Sequence, residues 1–114
     1  MNSNYVLLIT SKTFGKGNEV LGEKLLAAYL HTLIEGEQLP SHILLLNLGV
    51  KLAVEEVAAL ESLKSLQDKG VDIYACGTCL DFYGIKDLLM VGKIGNMYLT
   101  RDILAEAGKV ISLT

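Results

Sequence analysis

The two cysteines of the chain stand three positions apart, in Cys76-Gly77-Thr78-Cys79. Residues at i and i+3 lie on one side of a helical turn, and the free backbone N–H groups at a helix start stabilise a thiolate. The pair is therefore expected to hold a thiol with a lowered pKa. Two cysteines this close cannot staple a fold, and in a reducing compartment they point to reactivity or metal binding. The competing reading makes both of them small buried hydrophobes.

Each chemistry open to such a pair needs something else from the chain. Zinc needs four ligands, and the other candidates are His31, His42 and carboxylates such as Asp81. His31 falls late in the first predicted helix and His42 at the start of the second predicted strand, at the opposite edge of the sheet from the cysteines, so no metal is expected. A thioredoxin-type dithiol normally has an aromatic residue before the first cysteine and opens a long helix. Here Ala75 precedes Cys76, Gly84 ends the turn early, and Pro40 is the only proline that could supply a cis bond. Gly15-Lys16-Gly17-Asn18-Glu19-Val20 begins like a dinucleotide fingerprint, but Val20 stands at the third glycine position and no Gly-Lys-Ser/Thr ending follows. It reads first as a turn entering a helix, with a flavin phosphate on Ser11, Thr13 and the helix start as the minor alternative. No cofactor is expected. Lys12, Lys51 and Lys93 are placed in loops at the carboxyl edge, where they either attract an anionic substrate or are simply solvated. The five tyrosines show no clustering that demands a stacked ligand.

The elements that must position the pair follow from hydrophobic periodicity. Tyr5 to Thr10, His42 to Leu46, Val71 to Ala75 and Val110 to Leu113 are short apolar runs bounded by turn residues, as buried strands are. Asn18 caps a first helix whose apolar residues run to Leu33 before Gly36 stops it. Asn47-Leu48-Gly49-Val50-Lys51 is a loop, and a second helix spans about Val54 to Lys69, ended by Gly70. The third strand runs straight into the cysteines. Leu88 to Val91 is the candidate for a further short strand, and Asn96 caps a last helix through Leu104. Strands apolar on both faces, alternating with helices, predict a mostly parallel sheet covered on each side. The loops after the strands then gather along one edge, the usual place for a ligand in open α/β folds.

At 114 residues the chain fits one domain, 1–114, long enough to bury a core without staples. An apolar content of 51% excludes disorder and runs above that of an ordinary soluble monomer, which suggests a homo-oligomer. With ten basic and thirteen acidic residues the net charge is -3, and the lysines are dispersed, so nucleic acid is not an expected partner. The apolar runs are too short to span a bilayer, and Met1-Asn2-Ser3-Asn4 lacks the blocks of a signal peptide. A soluble, cytoplasmic protein with no membrane partner is expected.

Three segments taken together are less anonymous. Ile9-Thr10-Ser11-Lys12-Thr13-Phe14-Gly15-Lys16-Gly17, Asn47-Leu48-Gly49-Val50-Lys51-Leu52 and Cys76-Gly77-Thr78-Cys79-Leu80-Asp81-Phe82-Tyr83-Gly84 closely resemble the DsrE-like domain of sulfurtransferase-like selenium metabolism proteins, the YedF type. Gly92-Lys93-Ile94-Gly95-Asn96-Met97-Tyr98 adds a fourth match, and the resemblance covers nearly the whole chain. It implies a three-layer α/β/α sandwich, a mostly parallel sheet of about five strands, and small homo-oligomers.

The resemblance also implies a sulfur or selenium carrier. Cys76, ahead of Gly84, matches the family cysteine that accepts a persulfide sulfur and passes it on. Cys79 belongs to the YedF-type subset and either resolves that persulfide as a disulfide or helps hold selenium. Such proteins usually carry an N-terminal TusA-like domain with its own cysteine, which these residues do not supply, so the chain is expected to be either a standalone version or part of a larger product; a TusA-like or other sulfur-relay protein is the expected partner. Backbone N–H groups of Gly77, Thr78 and Cys79 would stabilise the anion, with Thr78 capping the short helix. Lys12, and the Asn47 to Lys51 loop with Asn47 and Lys51, would wall the cargo. The alternatives are a thiol-disulfide redox protein using both cysteines and a non-catalytic ligand-binding or scaffold domain.

Overall fold

The computed structural model describes residues 4–114. The reading of the first residues as free of an export signal therefore falls largely outside the described residues. Five parallel strands form one sheet: β1 (Tyr5–Ile9), β2 (His42–Leu45), β3 (Asp72–Cys76), β4 (Lys93–Gly95) and β5 (Lys109–Leu113), in the spatial order β4-β3-β2-β1-β5. Helices lie on both faces, giving the three-layer α/β/α architecture that the alternating pattern predicts.

Parallel neighbours need crossovers, and the helices supply them. On one face α1 (Glu19–Glu35) and α2 (Ala58–Asp68) pack against each other. Alternate strand residues Leu7, Ile9, Ile43, Leu45, Ile73 and Ala75 meet Leu26 and Leu30 of α1 and Leu60, Leu63 and Leu66 of α2 in one core. Each such leucine, fully withdrawn from water, contributes roughly 1.5–3 kcal/mol before chain entropy is subtracted. The opposite face carries α4 (Met97–Glu106), whose Leu99 and Ile103 border a cleft with Val6 and His42. Among the described residues no helix is long and apolar enough to cross a membrane.

The caps read from sequence are present. Asn18 Oδ1 accepts the Leu21 N–H at 3.0 Å, and Asn96 Oδ1 accepts the Leu99 N–H at 2.9 Å. Two elements differ from the expectation. The second helix does not begin near Val54, because Asn47–Ala53 winds as a 3₁₀ helix that the Val54 N–H closes on the Lys51 carbonyl. This segment lies tight against β1: a Cβ on Gly49 would collide with the Ile9 carbonyl oxygen. Nor is the apolar run around Leu88 a strand. Lys86–Leu88 is a 3₁₀ turn, and the Met90 N–H leaves the sheet to bond the Ala53 carbonyl at 2.8 Å. Gly92, at φ 78°, then redirects the chain into β4.

Candidate functional site

β3 ends on Cys76, which pairs in register with Gly95 of β4 and is also the residue from which α3 (Gly77–Phe82) starts. The passage from strand to helix is close. A Cβ on Gly77 would come within 3.1 Å of both the Gly95 carbonyl oxygen and Ile94 Cγ2. Cys76 is consequently almost sealed, at 5% exposure, whereas Cys79 is half-buried. Both are free thiols, three residues apart across the start of α3. The helix stops at Tyr83 because Gly84, at φ 67°, takes the left-handed conformation and donates its N–H to the Asp81 carbonyl.

The second wall comes from the neighbouring strand. Past β2, the Leu46 N–H bonds the Ile9 carbonyl, and Asn47 follows with φ 52°, the only non-glycine residue at positive φ among those described. Its backbone N–H donates to Cys79 Sγ at 3.1 Å. Its side-chain oxygen accepts the Tyr83 hydroxyl at 2.8 Å, and Lys51 Nζ sits 5.0 Å from the centre of the Tyr83 ring. Asn47, Lys51, Cys76, Cys79 and Tyr83 thus form one constellation at the carboxyl edge of β2 and β3.

The electrostatics correct one expectation. Burial pushes the Cys79 thiol up from its ordinary value; the Asn47 N–H pulls it back in part, and the adjacent Cys76 adds to the rise. A lowered thiol at Cys79 is not what the fold produces, because α3 is a six-residue helix and the sulfur is partly removed from water. Thr78 does not cap α3 either: Cys76 occupies the cap position and no side-chain hydrogen bond closes the helix start.

The remaining candidates are dispersed. Lys12 follows β1 at the carboxyl edge, but its Nζ pairs with Glu55 at 2.7 Å, and that contact holds the ammonium above its ordinary pKa. It lines a cleft of about 380 Å³ between α1 and α2 with Glu23, Ala27, Leu52 and Val57, which includes neither cysteine. Lys93 is not at the carboxyl edge: it opens β4 opposite Tyr74 and borders a cleft with Gln67 and Asp72. In the glycine-rich loop, Thr13 Oγ1 donates to the Gly15 carbonyl, and Ser11 Oγ accepts the Thr13 N–H. These hydroxyls serve the turn itself.

His31 faces Glu35 at 4.0 Å in α1, His42 opens β2 facing Asp72 at 3.9 Å, and Asp81 pairs with Lys86 at 3.5 Å. Among the described residues no group of three or more His, Cys, Asp or Glu could hold a metal ion.

Tyr83 is the functional candidate that the sequence reading passed over. Its spacing from Cys79 carries the signal, since i and i+4 are neighbours on a helix. The Tyr83 N–H indeed bonds the Cys79 carbonyl at 3.1 Å.

Comparison with known proteins gives a consistent answer. The model of the DsrE/DsrF-like family matches residues 5–113. No curated protein matches the chain. Among solved structures, the ychN protein from E. coli aligns with a TM-score of 0.67 at 19% identity, over 95% of this chain and 97% of that one. A conserved protein of unknown function from Bacteroides thetaiotaomicron aligns with a TM-score of 0.62 at 19% identity, over 96% and 94%. A protein of unknown function from Methanobacterium thermoautotrophicum gives 0.64 at 17% identity, over 95% and 96%. At these identities the likeness is one of fold.

Proposed function

The chain belongs to the DsrE/DsrF-like family, and from that premise we propose that it is a sulfur carrier in which Cys76 takes up sulfane sulfur as a persulfide. The Cys76 thiolate attacks the outer sulfur of a donor persulfide; a new S–S bond forms on Cys76, the donor's S–S bond breaks, and the donor leaves as a thiolate. Passing the sulfur on repeats the exchange with an acceptor thiolate attacking the outer sulfur. The observation that carries this reading is the placement of Cys76, nearly sealed at a strand end, against the half-buried Cys79. Such a niche protects a persulfide from casual reduction until a partner docks.

The family's association with sulfur relay supports the same assignment. A TusA-like or other relay protein as partner, selenium as a second cargo, and a homo-oligomer belong to this proposal. In this reading Asn47, whose N–H bonds Cys79 Sγ, and Lys51, which lies over the Tyr83 ring, would wall the cargo, with Gly77 and Thr78 supplying backbone beside it. Lys12, paired with Glu55, serves the neighbouring cleft instead.

The presence of two free thiols three residues apart favours one second reading, a thiol-disulfide protein using both. Intact-mass spectrometry after exposure to a sulfane-sulfur donor separates them. The carrier gains reductant-labile sulfur that is lost in Cys76→Ser and retained in Cys79→Ser. Rapid loss of two hydrogens without retained sulfur, abolished in either variant, would instead mark a redox pair.

A further inference from the structure

We infer that Asn47 is a positioning residue for the Cys79 sulfur, and that the Tyr83 hydroxyl is the latch that holds it in place. The inference rests on reading Cys76 and Cys79 as a working thiol pair. A non-glycine residue at φ 52° is unusual, and asparagine is among the few that tolerate it. The consequence of that backbone is specific: it directs the Asn47 N–H onto Cys79 Sγ at 3.1 Å. Glycine would adopt the same conformation more readily but could not accept the Tyr83 hydroxyl, which reaches Asn47 Oδ1 at 2.8 Å.

The two hydrogen bonds close a ring through α3. Cys79 and Tyr83 occupy one side of its last turn, and Asn47 bridges them from the end of β2. The donated N–H stabilises the thiolate against the burial that opposes it, so the latch sets how readily Cys79 ionises. The groups around the sulfur that titrate are Cys76 from β3, Tyr83 after α3, and Lys51 from the 3₁₀ helix, where it covers the Tyr83 ring. The nearby Asp81 carboxylate is engaged by Lys86.

The test uses the fact that Cys76→Ser leaves Cys79 as the sole thiol. Iodoacetamide alkylation of that protein is followed across pH, alone and combined with Tyr83→Phe, Asn47→Ala, Asn47→Gly and the Tyr83→Phe/Asn47→Ala pair. Tyr83→Phe keeps the ring under Lys51 and removes only the latch. It is expected to raise the alkylation midpoint by about half a pH unit or more, within the roughly one-unit spread that protein environments impose, with the plateau rate at high pH unchanged.

Asn47→Ala gives the larger rise and Asn47→Gly, which keeps the backbone conformation, the smaller. Adding Tyr83→Phe to Asn47→Ala should change nothing further, since the hydroxyl acts through Asn47. Superimposed profiles for parent and Tyr83→Phe overturn the inference, as does a Tyr83→Phe effect that persists undiminished without Asn47. A change in plateau rate alone also overturns it, because that reports exposure and not thiolate stability. If Asn47→Ala fails to fold, the Tyr83→Phe comparison in the Asn47→Gly background serves in its place. No sulfur donor enters the measurement, so failure of the carrier reading and failure of this one are told apart.

Discussion

At Cys79 two effects oppose each other, and burial prevails over the Asn47 amide, so the folded thiol binds its proton more tightly than an exposed one. Tyr5 behaves alike: burial, with Tyr29 beside it, pushes the phenol up from 10.0 while its hydroxyl donates to the Gln38 carbonyl at 2.7 Å. For both groups the folded state retains protons that the unfolded chain has released, which fixes the sign of the pH dependence. Their stabilisation is complete below the ordinary values of 9.0 and 10.0 and is lost as pH rises through the folded values. Urea denaturation from neutral to strongly alkaline pH should therefore show stability falling, with Cys79→Ser flattening the earlier part of the fall and Tyr5→Phe the later part. A fall unaltered in both variants would refute the assignment. At this scale the cysteines were legible because their type and spacing alone imply chemistry. Asn47 was legible as a loop residue, but its left-handed backbone and its tie to Tyr83 depend on β2 and β3 being neighbours, which no local pattern encodes.

Elements decide where those residues point, and their ends matter more than their middles. Asn18 and Asn96 were readable as caps because a side-chain oxygen ahead of an apolar-periodic run has few other uses. The start of α2 and the place of β4 were not, since apolar residues at 47–53 and around Leu88 satisfy helix and strand patterns equally in short runs. What settled them were distant backbone partners: Gly49 against Ile9, and Met90 bonding Ala53. The Asn96 cap has the larger functional reach, because it starts α4 immediately after Gly95, the strand partner of Cys76. Asn96→Ala should cost about 1 kcal/mol, within the usual range for removing a cap, read as a lower urea midpoint at unchanged slope. Because the loss frees the turn after β4, Cys76 should also alkylate faster in Asn96→Ala/Cys79→Ser than in Cys79→Ser alone. An Asn18→Ala chain, altered at the start of α1, should show the stability loss without that change in reactivity.

The sheet order places β3 between β2 and β4, so the cysteine edge is built by three strands whose order no single segment specifies. Alternating strands and helices made the class of fold readable, while the order followed only from how the crossovers pack. The whole molecule also leaves apolar side chains outside its own core. Val20, Leu21 and Leu25 on α1 are 65%, 54% and 47% exposed, and Leu21 and Leu25, at i and i+4, share one side of that helix. Phe82, Met97 and Tyr98 are exposed as well, at 83%, 59% and 73%, on the helices that flank the strand pair Cys76 and Gly95. If such exposed apolar side chains form contiguous surface, they are where contact with another molecule is to be tested. The two groups differ in what covering them would do: on the proposed carrier reading the second borders the thiol that exchanges sulfur, so self-association would be better served by α1. Sedimentation should accordingly give a mass above that of one chain, reduced to one chain by Leu21→Glu with Leu25→Glu and left unchanged by Tyr98→Glu. Sulfur loading from a small donor should survive in the Leu21→Glu/Leu25→Glu chain, because Cys76 and its neighbours all come from one copy. A single-chain mass at every concentration would refute self-association, and dissociation by Tyr98→Glu alone would move the contact to the cysteine edge.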